Sequence, residues 1–232
     1  MPETDKITDL NLRAVIFDMD NTLFDFVEAK QHACDRVAGF LGRNDGDALF
    51  KYFLHGPHGF EDHENIREYL VDREQFNEEV YSACLVIYEH EKLRVLAPYP
   101  MIHEILGKFR GKGLKMAVLT DAYNGNALLR LDRLDLTRFF EYVITTDMTG
   151  CKKPAREPFL LALRMLGTRP EETLLIGDSI RRDITPGKIL GMITAHARYG
   201  DRNLPSCDHC VPDIVLESMR DFSALLSRIR LM

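Results

Sequence analysis

Asp18 and Asp20 stand two residues apart in Asp18-Met19-Asp20-Asn21-Thr22, directly after the apolar run Ala14-Val15-Ile16-Phe17. A short, continuous apolar run of this kind is the pattern of a buried strand in a parallel sheet. It sets Asp18 at the strand's carboxyl end, the edge outside which open α/β sheets bind ligands. Two acids this close suit a nucleophile beside a proton carrier in phosphate transfer, provided a cation relieves their repulsion. Taken as a lone segment, the same acids serve equally well as a turn or as the cap of a following helix.

Three later segments repeat the arrangement of an apolar run followed by reactive side chains. Ala117-Val118-Leu119 leads into Thr120-Asp121, where a hydroxyl and the backbone amides opening the next helix would clamp phosphate oxygens. The plainer reading of Thr120 is a helix cap. In Gly150-Cys151-Lys152-Lys153-Pro154, a lysine held by the following proline would neutralise both the carboxylates and a transferring phosphoryl group; the plainer reading is a solvated loop lysine. Leu174-Leu175-Ile176 leads into Gly177-Asp178-Ser179, with Asp183 five residues past Asp178. Asp178 suits a hard divalent cation, and Asp183 is placed to bind a metal water or orient the lysine. On its own, Asp183 reads as a helix N-cap.

The elements that must position these groups follow from periodicity. From Thr22 to about Leu114 there is no convincing strand. Val27, Cys34, Val37 and Leu41 recur at helical spacing, as do Phe76, Val80, Cys84, Ile87 and Tyr88. This predicts an all-helical insertion over 23–96, broken by the loop signal His55-Gly56-Pro57-His58-Gly59 and closed by Ala97-Pro98-Tyr99-Pro100. Strands are then expected at 114–120, 142–145, 173–176, 192–196 and 214–216, separated by helices, with a last helix carrying Phe222, Leu225, Leu226 and Ile229. Such alternation builds a parallel sheet with helices on both faces. The predicted fold class is therefore α/β: a core of 1–22 and 97–232 with an inserted helical domain, 23–96.

Composition excludes several classes. The 232 residues are 45% hydrophobic and 28% charged, with a formal net charge of −6, which gives no electrostatic footprint for nucleic acid. No apolar stretch approaches the roughly 20 residues of a membrane span, and Met1-Pro2-Glu3-Thr4-Asp5-Lys6 lacks the pattern of a secretory signal. Cytoplasmic location and a monomer or homodimer are the expectations. The five scattered cysteines argue against a disulfide framework. His55, His58 and His63 with Glu61 and Asp62 lie around a Gly-Pro break, which favours a loop facing substrate, with His58 and Phe60 as contacts, over a metal cluster. Cys207-Asp208-His209-Cys210 is a single CxxC without a second pair and reads as a surface turn.

In motif order and content the chain resembles the haloacid dehalogenase-like hydrolase superfamily, subfamily I with a helical cap of the C1 type. Asp18-Met19-Asp20-Asn21-Thr22, Thr120, Lys153-Pro154 and Gly177-Asp178-Ser179 with Asp183 correspond to its four motifs, and Pro98-Tyr99-Pro100 and Gly191-Met192 match its connecting phrases. The resemblance implies a Rossmann-like core and a phosphatase acting on a small phosphate monoester. Asp18 would be the nucleophile, forming an aspartyl-phosphate, and Asp20 the general acid and base. Mg²⁺ would be bound by the Asp18 carboxylate, the Asp20 backbone carbonyl and Asp178, with Asp183 in or near that shell, and Thr120 and Lys153 would hold the phosphate. A phosphomutase on the same core is the main alternative. Less favoured are a dehalogenase, which needs no acid at Asp20, and a non-catalytic binding protein, which would be expected to lose one of Asp18, Asp20 or Asp178. Asp121 departs from the asparagine common at that position and puts an acid where phosphate must approach. Arg181 and Arg182 read as a solvated helix entrance.

Overall fold

A computed structural model describes residues 9–203 and 210–231. The secretory-signal reading and Cys207, Asp208 and His209 of the CxxC segment fall outside the described residues. The chain divides into two compact units, Met1–Asp25 with Pro98–Met232, and Phe26–Ala97.

Within the first unit the strands are β1 (Leu10–Leu12), β2 (Ala14–Phe17), β3 (Lys115–Leu119), β4 (Tyr142–Ile144), β5 (Thr173–Gly177), β6 (Ile193–Ala197), β7 (Ile214–Leu216) and β8 (Ile229–Leu231). Among the described residues, six of them form one parallel sheet in the order β4-β3-β2-β5-β6-β7. The chain builds outward from β2 on one side, then returns to build outward on the other. That makes β2 the switch point of a Rossmann-like fold, the place where a crevice opens beyond the strand ends.

Alternation along the strands explains why both faces are covered. Ala14, Ile16, Ala117, Leu119 and Leu175 pack with Phe159, Ala162, Leu163 and Leu166 of helix Arg156–Leu166. On the opposite face Phe17 meets Phe109 edge-on at 5.7 Å, and Phe109 in turn meets Phe222 at 6.3 Å, which seats helices Ile102–Gly111 and Asp221–Arg228. Side chains of this size contribute about 1.5–3 kcal/mol each when fully buried. The last helix ends one residue earlier than its spacing predicts. Ile229 leaves it to pair with Leu10, and β8 runs parallel to β1 as a separate two-stranded sheet. Spacing of 222, 225, 226 and 229 is helical, but the backbone groups of Leu10–Leu12 capture the final residues as a strand.

The second unit contains helices Phe26–Phe40, Gly46–His55, Glu64–Val71 and Glu78–Val95 around its own core. Cys34, Val37, Leu49, Phe53, Tyr69, Cys84 and Tyr88 are buried there, with Phe53 and Tyr88 stacked at 5.2 Å. The Gly-Pro-His segment is a loop between the second and third helices, pinned by Asn65, whose Nδ2 donates to the Gly59 and Asp62 carbonyls at 2.9 and 2.7 Å. Among the described residues no helix is long and apolar enough to cross a membrane.

Glu89 supplies a pH-dependent contribution to this helical unit. Partial burial opposes its charge, but His63 at 2.8 Å and the buried Lys92 at 2.6 Å outweigh that and hold the carboxyl down to about 2. A folded value below the unfolded one gives stability that is complete above the ordinary value of 4.5 and is lost as pH falls from there through about 2. Because the Glu89 side chain is 38% exposed, screening reduces the gain to the order of 1 kcal/mol. Glu89→Gln should therefore lower the urea midpoint at pH 6.5, and the difference from the native protein should shrink progressively below pH 4.5. A difference independent of pH would assign the effect to packing instead.

Candidate active site

Strand register brings the reactive residues together. Phe17 pairs with Val118 on one side and Ile176 on the other. Asp18, Thr120 and Asp178 each lie one or two residues beyond that level, so all three emerge at the same edge of the sheet. Asn21 has φ of 61°, a left-handed conformation that asparagine tolerates better than most residues. The turn it makes returns Thr22, whose hydroxyl donates to Asp18 Oδ2 at 3.3 Å.

Lys153 stands between two of the acids. Its Nζ lies 2.5 Å from Asp18 Oδ1 and 2.6 Å from Asp183 Oδ1, with all three residues buried. Asp183 is not the N-cap of a following helix. It lies within a π-helical turn, Ile180–Ile184, capped by Ser179, whose hydroxyl accepts from the Arg182 N–H at 3.2 Å. The second oxygen of Asp183 accepts from the Ser179 N–H at 3.1 Å. Gly177 allows this: a Cβ there would lie 2.5 Å from Asp183 Cγ.

One ligand atom each from Asp18, Asp178 and Asp183 lies within 4.8 Å of the others. Asp178 Oδ2 accepts from Asn203 Nδ2 at 3.2 Å, while its Oδ1 is buried and accepts no hydrogen bond. An orphaned carboxylate oxygen among buried acids suits a hard divalent cation. Burial, then the charges of Asp18 and Asp183, push the Asp178 carboxyl well above its ordinary value. Asp183 is also raised, chiefly by burial. For Asp18 burial is outweighed by Lys153 and Arg182, which hold its carboxyl low. Lys153 is kept charged despite its burial by Asp18, Asp183 and Asp121. The site thus gathers three buried acids about one fixed cation, Lys153, with Arg182 beside them.

Thr120 is buried and its hydroxyl accepts from the Ala122 N–H at 3.2 Å, shaping the turn after β3 while retaining a proton to donate. It does not cap helix Asn124–Arg133; the Asn124 N–H is satisfied by Asp147 Oδ1 at 3.0 Å. Asp121 accepts from the Lys153 N–H at 2.8 Å and faces Arg182 at 3.5 Å. Arg182 also lies 3.8 Å from Asp178. This corrects the reading of Arg182 as a solvated entrance: within the π-turn its guanidinium points to the acids and offsets the charge of Asp121, while Arg181 is exposed. No motif pointed to Arg182, because only the π-turn decides which of the two arginines turns inward.

A second residue absent from the sequence reading is Arg130. Its Nη1 lies 3.1 and 3.0 Å from the two carboxylate oxygens of Asp20.

In the helical unit, His58 pairs with Glu68 at 3.0 Å and His63 with Glu89 at 2.8 Å. Phe60 packs inward: its ring meets Phe26 and Phe50, and the Lys30 ammonium sits 3.6 Å from its centroid and donates to its carbonyl. Lys30 is fully buried, so truncating Phe60 disturbs the support of a buried cation.

Residues 15–197 match the haloacid dehalogenase-like hydrolase family. The chain belongs to that family. Among its relatives, the phosphoglycolate phosphatase of Aquifex aeolicus is 30% identical over 217 residues, 93% of this chain and 97% of its own. The glyceraldehyde 3-phosphate phosphatase of Methanocaldococcus jannaschii is 28% identical over 198 residues, 82% of this chain and 86% of its own. A solved structure of the putative hydrolase YfnB from Bacillus subtilis, described as bound to magnesium, superposes with a TM-score of 0.71 at 21% identity, covering 94% of this chain and 99% of that one. The chain is thus a haloacid dehalogenase-like hydrolase, and both of these curated relatives are phosphatases.

The fit between Gly177 and Asp183 is tight enough to test. Asp183 is fully buried and is held by Lys153 and the Ser179 N–H, so Gly177→Ala should destabilise the protein by about 1–3 kcal/mol, as overpacking does. Equilibrium urea denaturation measures this, and a midpoint equal to the native one would show that Asp183 moves aside freely.

Proposed function

We propose that the protein is a Mg²⁺-dependent phosphatase that hydrolyses a small phosphate monoester through an aspartyl-phosphate on Asp18. The observation that carries this reading is the Lys153 ammonium shared by Asp18 and Asp183 beside the orphaned oxygen of Asp178. Lys153 keeps Asp18 ionised and therefore nucleophilic, and its fixed charge draws the dianionic ester to a site that already holds acids. The Asp18 oxygen attacks phosphorus while the ester oxygen leaves with a proton from Asp20. Asp20, now a carboxylate, then takes a proton from the water that hydrolyses the aspartyl-phosphate. The Thr120 hydroxyl and Lys153 hold the phosphate oxygens, and Arg182 adds charge where Asp121 would otherwise repel them.

The acids at this edge fit Mg²⁺, which the Asp18 and Asp178 carboxylates and the Asp20 backbone carbonyl would hold with Asp183 alongside. When bound it supplies the charge neutralisation that allows an anionic nucleophile near an anionic phosphate. The buried thiols of Cys34 and Cys84 are in keeping with action in a reducing cytoplasm.

Asp18→Asn should fold like the native protein yet release phosphate from p-nitrophenyl phosphate at least about 10³-fold more slowly, since it loses the nucleophile and no core packing. Substantial turnover by the purified, folded variant would remove Asp18 from this role.

Metal binding has a readout of its own. At 100 times its dissociation constant, Mg²⁺ should stabilise the native fold by about 2.7 kcal/mol, seen as a rise in melting temperature. Asp178→Ala should lose most of that rise, whereas an equal rise in both proteins would place the metal elsewhere.

A further inference from the structure

Arg130 is an arginine on the buried face of an amphipathic helix. It lies in Asn124–Arg133 beside the buried Ala127 and Leu131, and only 2% of its side chain is exposed. Packing does not ask for a guanidinium there. A Met or Leu would fill the space without the desolvation cost of a buried charge. What the arginine reaches is Asp20: one terminal nitrogen lies 3.1 Å from Oδ1 and 3.0 Å from Oδ2. Asp20 itself is 21% exposed and follows β2 in the turn that reverses at Asn21. It is therefore the more exposed partner of the pair, held by the buried one.

Resting on the phosphatase reading above, we propose that Arg130 is the positioning residue for Asp20, fixing its carboxylate where it gives a proton to the leaving oxygen and later takes one from water. The helix that carries Arg130 follows the turn shaped by Thr120, so the phosphate clamp and the anchor of the proton carrier are close in the chain. Proton transfer requires the carboxyl within hydrogen-bond reach of first one oxygen and then another, and a misplacement of about 1 Å at such a group costs about 10²-fold. Arg130 touches no reacting atom. Its effect on the reaction passes through Asp20.

That restriction gives a signature that loss of packing does not produce. In the first step the Asp18 oxygen bonds to phosphorus and the ester P–O bond breaks. p-Nitrophenolate leaves without a proton, but an alkoxide leaves only with the proton of Asp20. In the second step water bonds to phosphorus, the Asp18–phosphorus bond breaks, and the Asp20 carboxylate takes the water proton; Asp20 reaches that carboxylate by giving its proton to the alkoxide of an alkyl ester, or to solvent when the leaving group is p-nitrophenolate. Arg130→Met should therefore slow the second step with both substrates and the first step only with an alkyl ester.

With p-nitrophenyl phosphate in saturating Mg²⁺, kcat should fall about 10²-fold and KM should fall with it. Rapid mixing should then show a burst of nearly one nitrophenolate per folded enzyme, and acid quenching should trap the aspartyl-phosphate. With glycerol phosphate as the alkyl probe, kcat/KM itself should fall about 10²-fold. Arg130→Lys, which keeps the cation but not the reach of the fork, should show the same pattern at smaller amplitude, and it decides the question if the Met variant does not fold. Burst, kcat and alkyl kcat/KM falling in one proportion in the folded variant, or not falling at all, would overturn the positioning role. If the native protein turns over p-nitrophenyl phosphate but never accumulates or transfers phosphate through Asp18, the phosphatase mechanism fails first and the inference with it.

Discussion

Asp18, Asp178 and Asp183 are three buried carboxylates whose ligand atoms fall within 4.8 Å of one another, with Lys153 as the buried ammonium at their centre. Like charges this close cannot all ionise without compensation, and the surrounding fold is arranged to supply it. The parallel register places Asp18 and Asp178 at one edge. Lys153 is delivered from the loop after β4, and Arg182 turns inward from the π-helical turn. Removal of Lys153 would leave Asp18 and Asp183 buried without the cation between them.

The same constraint explains where the chain departs from comfortable geometry. Asn21 takes a left-handed turn, Gly177 gives up its side chain so that Asp183 can pass, and Arg130 is buried on a helix face that hydrophobic residues would fill more cheaply. Departures of this kind concentrate at functional sites, because the gain is made in chemistry and not in packing. The rest of the first unit shows the opposite character. Its strands are apolar on both faces and covered by helices whose aromatic residues interlock.

The helical unit solves a separate problem with its own core. It buries Lys30 against the rings of Phe53 and Phe60 at 4.1 and 3.6 Å, and closes its loop through Asn65. Cation–π contacts and a carbonyl acceptor help to make a buried ammonium tolerable. Phe60 therefore has a packing duty that a loop beside Gly-Pro-His does not announce.

Much of this was legible in the chain itself. Apolar runs ending in Asp18, Thr120 and Asp178 show both the strands and the acids, because strand burial and site chemistry are each local and meet at one residue. The helical periodicity after Thr22 likewise marks an insertion without strands. What the sequence could not decide depends on residues distant in the chain. Ile229 continues a helical spacing but becomes a strand because Leu10 offers backbone partners 219 residues away. Arg130 and Asp20 are 110 residues apart, and nothing in either segment marks the other. Arg181 and Arg182 are the same residue type side by side, and only the π-turn sends one to solvent and the other to the acids. Local patterns therefore determined the elements and the four motifs. Tertiary structure decided which charges face one another, since electrostatic pairing depends on distance in space and leaves no period in the sequence.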